Sequence, residues 1–245
     1  MRVPTASELL AAWEEGVTLQ PAGQAVLLLA LVCPERAPAD LSLGERDRRL
    51  LALREQLFGP RLRSLAACPG CGEQLELDFD VGDLRVPAAQ LPPAGGEVAV
   101  SEGEYRVRCR LPSSADLLAV SRSADEREAR QSLLSRCVVG VERAGVETEA
   151  AAAELPAAVV GAVVEQMRRA DPQADVQLAL DCPACREGWS VAFDIASYLW
   201  AEVGDWAQRT LREVHALARA YGWSESDILS MGVRRRRWYM EMIGA

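Results

Sequence analysis

Residues 68–81 read Cys-Pro-Gly-Cys-Gly-Glu-Gln-Leu-Glu-Leu-Asp-Phe-Asp-Val, and residues 182–195 read Cys-Pro-Ala-Cys-Arg-Glu-Gly-Trp-Ser-Val-Ala-Phe-Asp-Ile. These are two copies of one pattern, a CPxC turn running into a segment of alternating residues. Leu75, Leu77, Phe79 and Val81 alternate with Glu76, Asp78 and Asp80; Trp189, Val191 and Phe193 alternate in the second copy. A period of two places one face in a core and the other in water, so each knuckle leads into a strand. Two thiolates spaced by two residues reach the same cation while proline stiffens the turn. Two such knuckles supply the four thiolates of a closed, tetrahedral structural zinc site. The expected ligands are Cys68, Cys71, Cys182 and Cys185, and with no position left for water the zinc is expected to be structural rather than catalytic. A redox CxxC, plain buried cysteines and an iron–sulfur cluster are the competing readings. The redox motif ordinarily sits in a βαβ pattern that is absent here.

The knuckles lie 114 positions apart, so one metal would tie the region after the helical N-terminal part to the region before the C-terminal helix. That arrangement implies a single domain, 1–245, carrying an insertion. Its expected parts are a helical N-terminal part (1–62), the first knuckle with its strands (63–112), a helical insertion (113–175), the second knuckle with its strands (176–195), and C-terminal helices with an Arg/aromatic tail (196–245). The fold class is α+β, mainly helical, with a small antiparallel sheet, a zinc-ribbon-like four-cysteine site and a long C-terminal amphipathic helix.

With 245 residues the chain is long enough to bury a core. Its 49% hydrophobic and 26% charged residues describe a folded globular protein. The formal net charge of −9 disfavours a chain built to wrap nucleic acid. All 27 basic residues are Arg, and neither Lys nor Asn occurs; this fits GC-rich coding and carries no functional weight. The first 15 residues bear one Arg ahead of Glu8, Glu14 and Glu15, the wrong charge order for a secretory signal. The most apolar run, 25–33, is about half the roughly 20 residues a membrane span needs. Seven cysteines, ordered only by the two CxxC pairs, suit a metal site in a reducing compartment, so the expected location is cytoplasmic.

Thr5 and Glu8 have capping-box spacing ahead of Leu9, Leu10 and Trp13. Pro21 opens the apolar segment. Between Leu43 and Phe58 apolar Leu50, Leu53 and Leu57 recur at helical spacing, while Glu45, Arg46, Asp47, Arg48, Arg49 and Arg54 are expected on the solvated face. Residues 98–100 and 105–109 read as a hairpin turning at Glu102-Gly103, residues 115–139 as one or two helices, and Pro156, at a first helical turn, as the opening of another that carries Val159, Val160, Val163, Val164 and Met167. Residues 87–96 read as a surface connection, and 145–155 give no clear reading. Leu199, Val203, Trp206, Thr210, Val214, Leu217 and Tyr221 follow a three/four spacing, which makes a long helix with Gly204 as its weak point. Ser224 and Asp227 occupy capping-box positions, with Trp223 and Ile228 as the staple.

His215, the sole histidine, and Cys33, Cys109 and Cys137 read as structural. The run Arg234, Arg235, Arg236 and Arg237, rimmed by Trp238, Tyr239, Met240 and Met242, has the Arg and aromatic content that interfaces enrich. With Trp223 it forms the expected partner surface; a solvated helix face and a phosphate-binding patch are the competing readings. No nucleophile elbow, phosphate loop, HExxH or dinucleotide fingerprint is present, so an enzyme is not expected.

The stretch Tyr221-Gly222-Trp223-Ser224-Glu225-Ser226-Asp227-Ile228-Leu229-Ser230-Met231, followed by Arg234–Arg237 and Tyr239, resembles the tail of small phage proteins from contractile-tail loci. Together with Gly44-Glu45-Arg46-Asp47, the CPxC pairs and Phe193-Asp194 before Tyr198-Leu199-Trp200, it makes the chain similar to the T4-type baseplate-hub assembly chaperone family and its relatives from phage-like contractile injection systems. The resemblance implies a non-enzymatic protein that binds a baseplate, hub or tape-measure component, either as an assembly chaperone or as a baseplate part. A zinc-ribbon nucleic-acid-binding or transcription-associated adaptor is the alternative, weakened by the net charge.

Overall fold

The computed structural model describes residues 2–34, 37–87, 96–148 and 154–244. In chain order the elements are α1 (Ala6–Gly16), α2 (Pro21–Val32), α3 (Leu43–Phe58), β1 (Arg61–Ala67), β2 (Gln74–Asp80), α4 (Val81–Leu84), β3 (Glu97–Glu102), β4 (Tyr105–Arg110), α5 (Ser114–Val120), α6 (Glu126–Cys137), β5 (Val138–Arg143), β6 (Val146–Thr148), α7 (Ala157–Ala170), β7 (Gln177–Asp181), β8 (Gly188–Ala192), α8 (Ile195–Tyr221), α9 (Glu225–Ser230) and α10 (Val233–Met242). The fold is mainly helical with small antiparallel sheets, as the sequence implies. The sheets are three: β1-β2, β3-β4-β5-β6 and β7-β8. Two compact units are present, residues 1–36 with 196–245, and residues 37–195.

In the first unit, α1 begins where Thr5 Oγ1 accepts the Glu8 N–H and the Glu8 carboxylate accepts the Thr5 N–H, the reciprocal cap its sequence encodes. Along α8 the buried positions Leu199, Val203, Ala207, Thr210, Val214 and Leu217 recur every three or four residues. Trp206 is half-buried and Tyr221 exposed, so the apolar stripe runs one residue off the expected one at Ala207. Leu10 of α1 and Ile228 and Leu229 of α9 pack against that stripe. Gly204 leaves α8 unbroken and faces Trp13, whose indole nitrogen lies 3.6 Å from where a Cβ would stand. Among the described residues no helix is long and apolar enough to cross a membrane.

The second unit is organised around α3. Ser42 Oγ accepts the Glu45 N–H at the start of α3, and Asp171, just past α7, accepts the Gly44 N–H at 2.9 Å from 127 positions away. The first turn is thus capped both locally and by a distant segment. Leu50, Leu51 and Leu53 are fully buried, as the spacing requires. Three charged residues assigned to the solvated face are instead inside: Arg46, Asp47 and Arg54 are 7%, 9% and 3% exposed. Each is satisfied where it sits. Arg46 Nε donates to Asp47 at 2.7 Å, and Arg54 Nη1 donates to the Gly59 carbonyl at 2.6 Å, closing the helix C-terminus at a residue with φ +87°. Burial pushes the Asp47 carboxyl up to about 6 despite Arg46.

Gln173 follows α7 and is likewise buried; its amide donates to the Leu84 carbonyl and accepts the Val86 N–H. The sheet β3-β4-β5-β6 packs Val100, Val107, Cys109 and Val141 against Val159 and Val163 of α7. Residues 138–139, expected to be helical, form the start of β5, which pairs with β4 across a register shift at Arg108/Cys109. The part expected as a helical insertion therefore contributes two of that sheet's four strands. Residues 88–95 and 149–153, where a surface connection was expected and where the sequence was ambiguous, lie outside the described residues.

The double cap of α3 makes Gly44 irreplaceable. A Cβ there would stand 1.9 Å from Asp171 Oδ1, so Gly44→Ala must displace Asp171 and break its bond. We expect a loss of about 2–4 kcal/mol in urea unfolding; a variant within about 0.5 kcal/mol of the parent contradicts this capping arrangement.

Candidate metal centre and C-terminal surface

Each CPxC sits in the six-residue loop of a hairpin. In the first, Ala67 pairs with Gln74 and Leu62 with Phe79; in the second, Asp181 pairs with Gly188 and Leu178 with Val191. The loops fold identically. The amide of the first cysteine donates to the residue five positions on, Cys68 to Glu73 and Cys182 to Glu187, while Gly72 and Arg186 donate back to the first cysteine's carbonyl at 2.9 Å. Gly72 and Arg186 both take left-handed backbone, φ +79° and +64°. The repeat seen in sequence is therefore a repeat of structure, and it extends back through β1 and β7.

The two hairpins face one another about an approximate two-fold relation. Cys68 Sγ lies 3.6 Å from Cys185 Sγ, and Cys71 Sγ lies 3.6 Å from Cys182 Sγ. Each contact is the counterpart of the other under the 114-residue offset. Phe79 and its counterpart Phe193 meet edge to face, with centroids 5.7 Å apart, a favourable aromatic geometry. Gly70 of one knuckle approaches the Cys185 sulfur of the other; a Cβ there would keep an ordinary 3.6 Å contact, which agrees with Ala184 at the equivalent position.

All four sulfurs lie within 4.8 Å of one another. A tetrahedral ion with metal–sulfur bonds of about 2.3 Å places its ligands about 3.8 Å apart, so the donor set fits a single thiophilic cation. Cys68 and Cys182 are buried, and Cys71 and Cys185 are exposed, so the site has an inner and an outer edge. The Cys185 backbone N–H, then that of Ala184, draws the Cys182 thiol down to about 7. At Cys71 the Glu73 amide and the Cys185 thiol pull in the same sense but are outweighed by Cys182, desolvation and Cys68, and at Cys185 the Glu187 amide is outweighed by Cys68 and Cys71, so both are pushed up, Cys185 to about 12. Sulfurs this close cannot all carry charge unless a cation lies among them.

The C-terminal residues divide into anchors and a displayed face. Tyr221 stacks on Trp223 at 4.4 Å between centroids, and Tyr239 of α10 meets both rings edge-on at 5.6 and 4.8 Å. Arg236, 3% exposed, donates through Nε to Glu213 of α8 at 2.7 Å. Trp223, Arg236 and Tyr239 thus hold α9 and α10 against α8. Arg234, Arg235, Arg237 and Trp238 are exposed, with Trp238 at 67%. The Ser224–Asp227 capping box is present. His215 is exposed on α8, while Cys33, Cys109 and Cys137 are buried, and burial pushes the last two up to about 11.

The knuckle comparison yields a test at a single backbone position. Arg186→Gly relieves a left-handed residue and is expected to raise stability by up to about 1 kcal/mol, whereas Gly72→Ala is expected to cost about 1 kcal/mol. Thermal melting of both variants checks the pair; shifts of the same sign contradict the equivalence of the two loops.

One family of known proteins, described as T4 bacteriophage base plate protein, matches residues 11–200. The match covers both knuckles and ends ahead of the terminal Tyr221–Tyr239 stretch. No curated protein and no solved structure matches the chain.

Proposed function

The chain belongs to the T4 bacteriophage base plate protein family, and from that membership we propose that it is a non-enzymatic protein of a phage-like contractile tail, binding a baseplate, hub or tape-measure component during or after assembly. The match over residues 11–200 carries this reading. Zinc is the ion that the four thiolates hold, and its role is architectural. A two-stranded hairpin is marginal in water by itself, and here two of them, β1-β2 and β7-β8, are stapled by one ion from both sides of a long intervening segment. The closed set of four cysteines leaves no position for a reacting water, so the centre supports a platform rather than a reaction. Partner contact is assigned to the C-terminal surface.

Binding energy at a structural zinc site is folding energy, of order 10 kcal/mol in small zinc modules. Chelation, or Cys71→Ser combined with Cys185→Ser, is therefore expected to abolish the cooperative melting of residues 37–195. One zinc per chain and loss of structure on its removal support the clamp; a zinc-free chain that melts unchanged contradicts it.

The tail reading is tested by following the full-length chain from lysate into purified particles by quantitative mass spectrometry. Recovery in complexes with baseplate, hub or tape-measure proteins is expected, and its presence in or absence from finished particles separates a permanent part from an assembly factor. Association with none of these proteins in either fraction overturns the reading.

A further inference from the structure

Helix α10 breaks a rule of helix construction, and the break lies on the surface. Backbone N–H groups make a helix N-terminus positive, so first turns favour Asp and Glu. Here Arg234 and Arg235 fall in the first turn, Arg236 and Arg237 follow directly, the Gly232 N-cap offers no side-chain acceptor, and no acidic residue occupies that turn. Only one of the four cations has a structural use, Arg236 with Glu213. Among the described residues Arg234, Arg235 and Arg237 make no ion pair. Nothing inside the fold therefore rewards them; their local electrostatic effect on α10 is unfavourable. Features that violate local preference without internal compensation are where function is expected.

The same exposed surface carries large apolar side chains. Val233, Trp238 and Met242 are 62%, 67% and 64% exposed, and Trp238 and Met242 stand four positions apart, on one side of the helix. The opposite side, Arg236, Tyr239, Met240 and Ile243, is turned into the unit. Trp238 has Arg234 and Arg235 one turn before it and Glu241 and Met242 one turn after it, and exposed Trp with Arg is the composition that protein-binding hot spots enrich. We infer that the outward face of α10, formed by Arg234, Arg235, Arg237, Trp238 and Met242, docks an acidic polypeptide segment of another tail protein, with carboxylates on the three arginines and an apolar side chain against Trp238 and Met242. Charge complementarity selects the occupant. A nucleic acid would pair with the same arginines, but a polypeptide also supplies a flexible aliphatic side chain for the exposed Met242 beside Trp238; the net charge of −9 acts against both and does not choose between them. Trp223, Arg236 and Tyr239 lie outside the contact, as the struts that aim the helix. The inference rests on the baseplate reading only for where the partner is found.

The test replaces Trp238 in the full-length chain by the photo-crosslinking residue p-benzoylphenylalanine, in cells assembling the particle, with His215 replaced likewise as control. Irradiation is expected to give an adduct at 238 at least tenfold above that at 215, to a tail-protein peptide in which Asp and Glu outnumber Arg and Lys. Arg234→Glu with Arg235→Glu and Arg237→Glu should cut the yield at least tenfold, while the three corresponding Lys replacements keep it. At 234 and 235 the Glu variant places acid where the helix dipole favours it, which offsets the like-charge pair that Glu at 237 makes with Glu241, so its melting temperature should change little; a fall exceeding about 5 °C assigns the arginines to the fold and overturns the inference. No adduct, an undiminished adduct in the Glu variant, or an adduct to nucleic acid, lipid, a second copy of this chain or a basic segment also overturns it. An adduct to an acidic segment of a protein foreign to the tail supports the face and contradicts the baseplate reading. Co-fractionation with baseplate proteins without an adduct at 238 does the reverse.

Discussion

Four cysteine sulfurs packed within 4.8 Å of one another are an electrostatic problem with one economical solution. As thiolates they repel; as thiols they leave the two hairpins without a link at the sulfurs, beside the edge-to-face contact of Phe79 with Phe193. A cation among them would convert that repulsion into a link between segments 114 residues apart. Residues 81–176 leave the first hairpin and return to the second. Along the way they build the four-stranded sheet and α7, and Asp171 caps α3 from the far side. That distant cap and the Gln173 bridge to residues 84–86 anchor the return path close to the hairpin it left.

The near two-fold symmetry of the centre has a physical consequence. In a self-complementary contact each residue meets the counterpart of its partner, so one favourable geometry is used twice: Cys68 with Cys185, and Cys71 with Cys182. Two of the sequence differences between the copies fall where the two-fold tolerates them. Gly70 and Ala184 differ by one methyl group at an ordinary contact, and Gly72 and Arg186 differ at a turn that requires left-handed backbone from both. At Arg186 a non-glycine residue keeps that conformation at a local cost, which the loop can bear because the knuckle's hydrogen bonds and its neighbours fix it.

The knuckles, the α3 and α8 helices, the capping boxes at Thr5 and Ser224 and the β3-β4 hairpin were legible because each announces itself within a few residues: a spaced pair of cysteines, a period of 3.6 or 2, a Ser/Thr followed three positions on by an acid; the boxes at Asp80 and Ser113 were not read from the sequence. β1 was not, because its less exposed face, Leu62, Ser64 and Ala66, includes two residues too small or polar to mark a period, while Leu65 on the other face is 65% exposed. β5 was masked by the run Val138-Val139-Gly140-Val141, apolar on both faces and continuous with α6; Gly140 there makes room for the Arg108 guanidinium, a tertiary reason with no local signature. Arg46, Asp47 and Arg54 read as solvated because a sequence shows charges and not the partners that let them be buried. In the C-terminal run the four arginines look equivalent in one dimension; only the turn of α10 toward Glu213 separates Arg236 from its neighbours.

The clamp is tested most directly by X-ray absorption at the zinc edge of the purified full-length chain. A single shell of four sulfurs at about 2.3 Å is the expected result, because all four cysteines converge on one position. A mixed shell of sulfur with nitrogen or oxygen, or two sulfurs per zinc, would mean that the knuckles do not share an ion, and the link on which the second unit is built would have to be sought elsewhere.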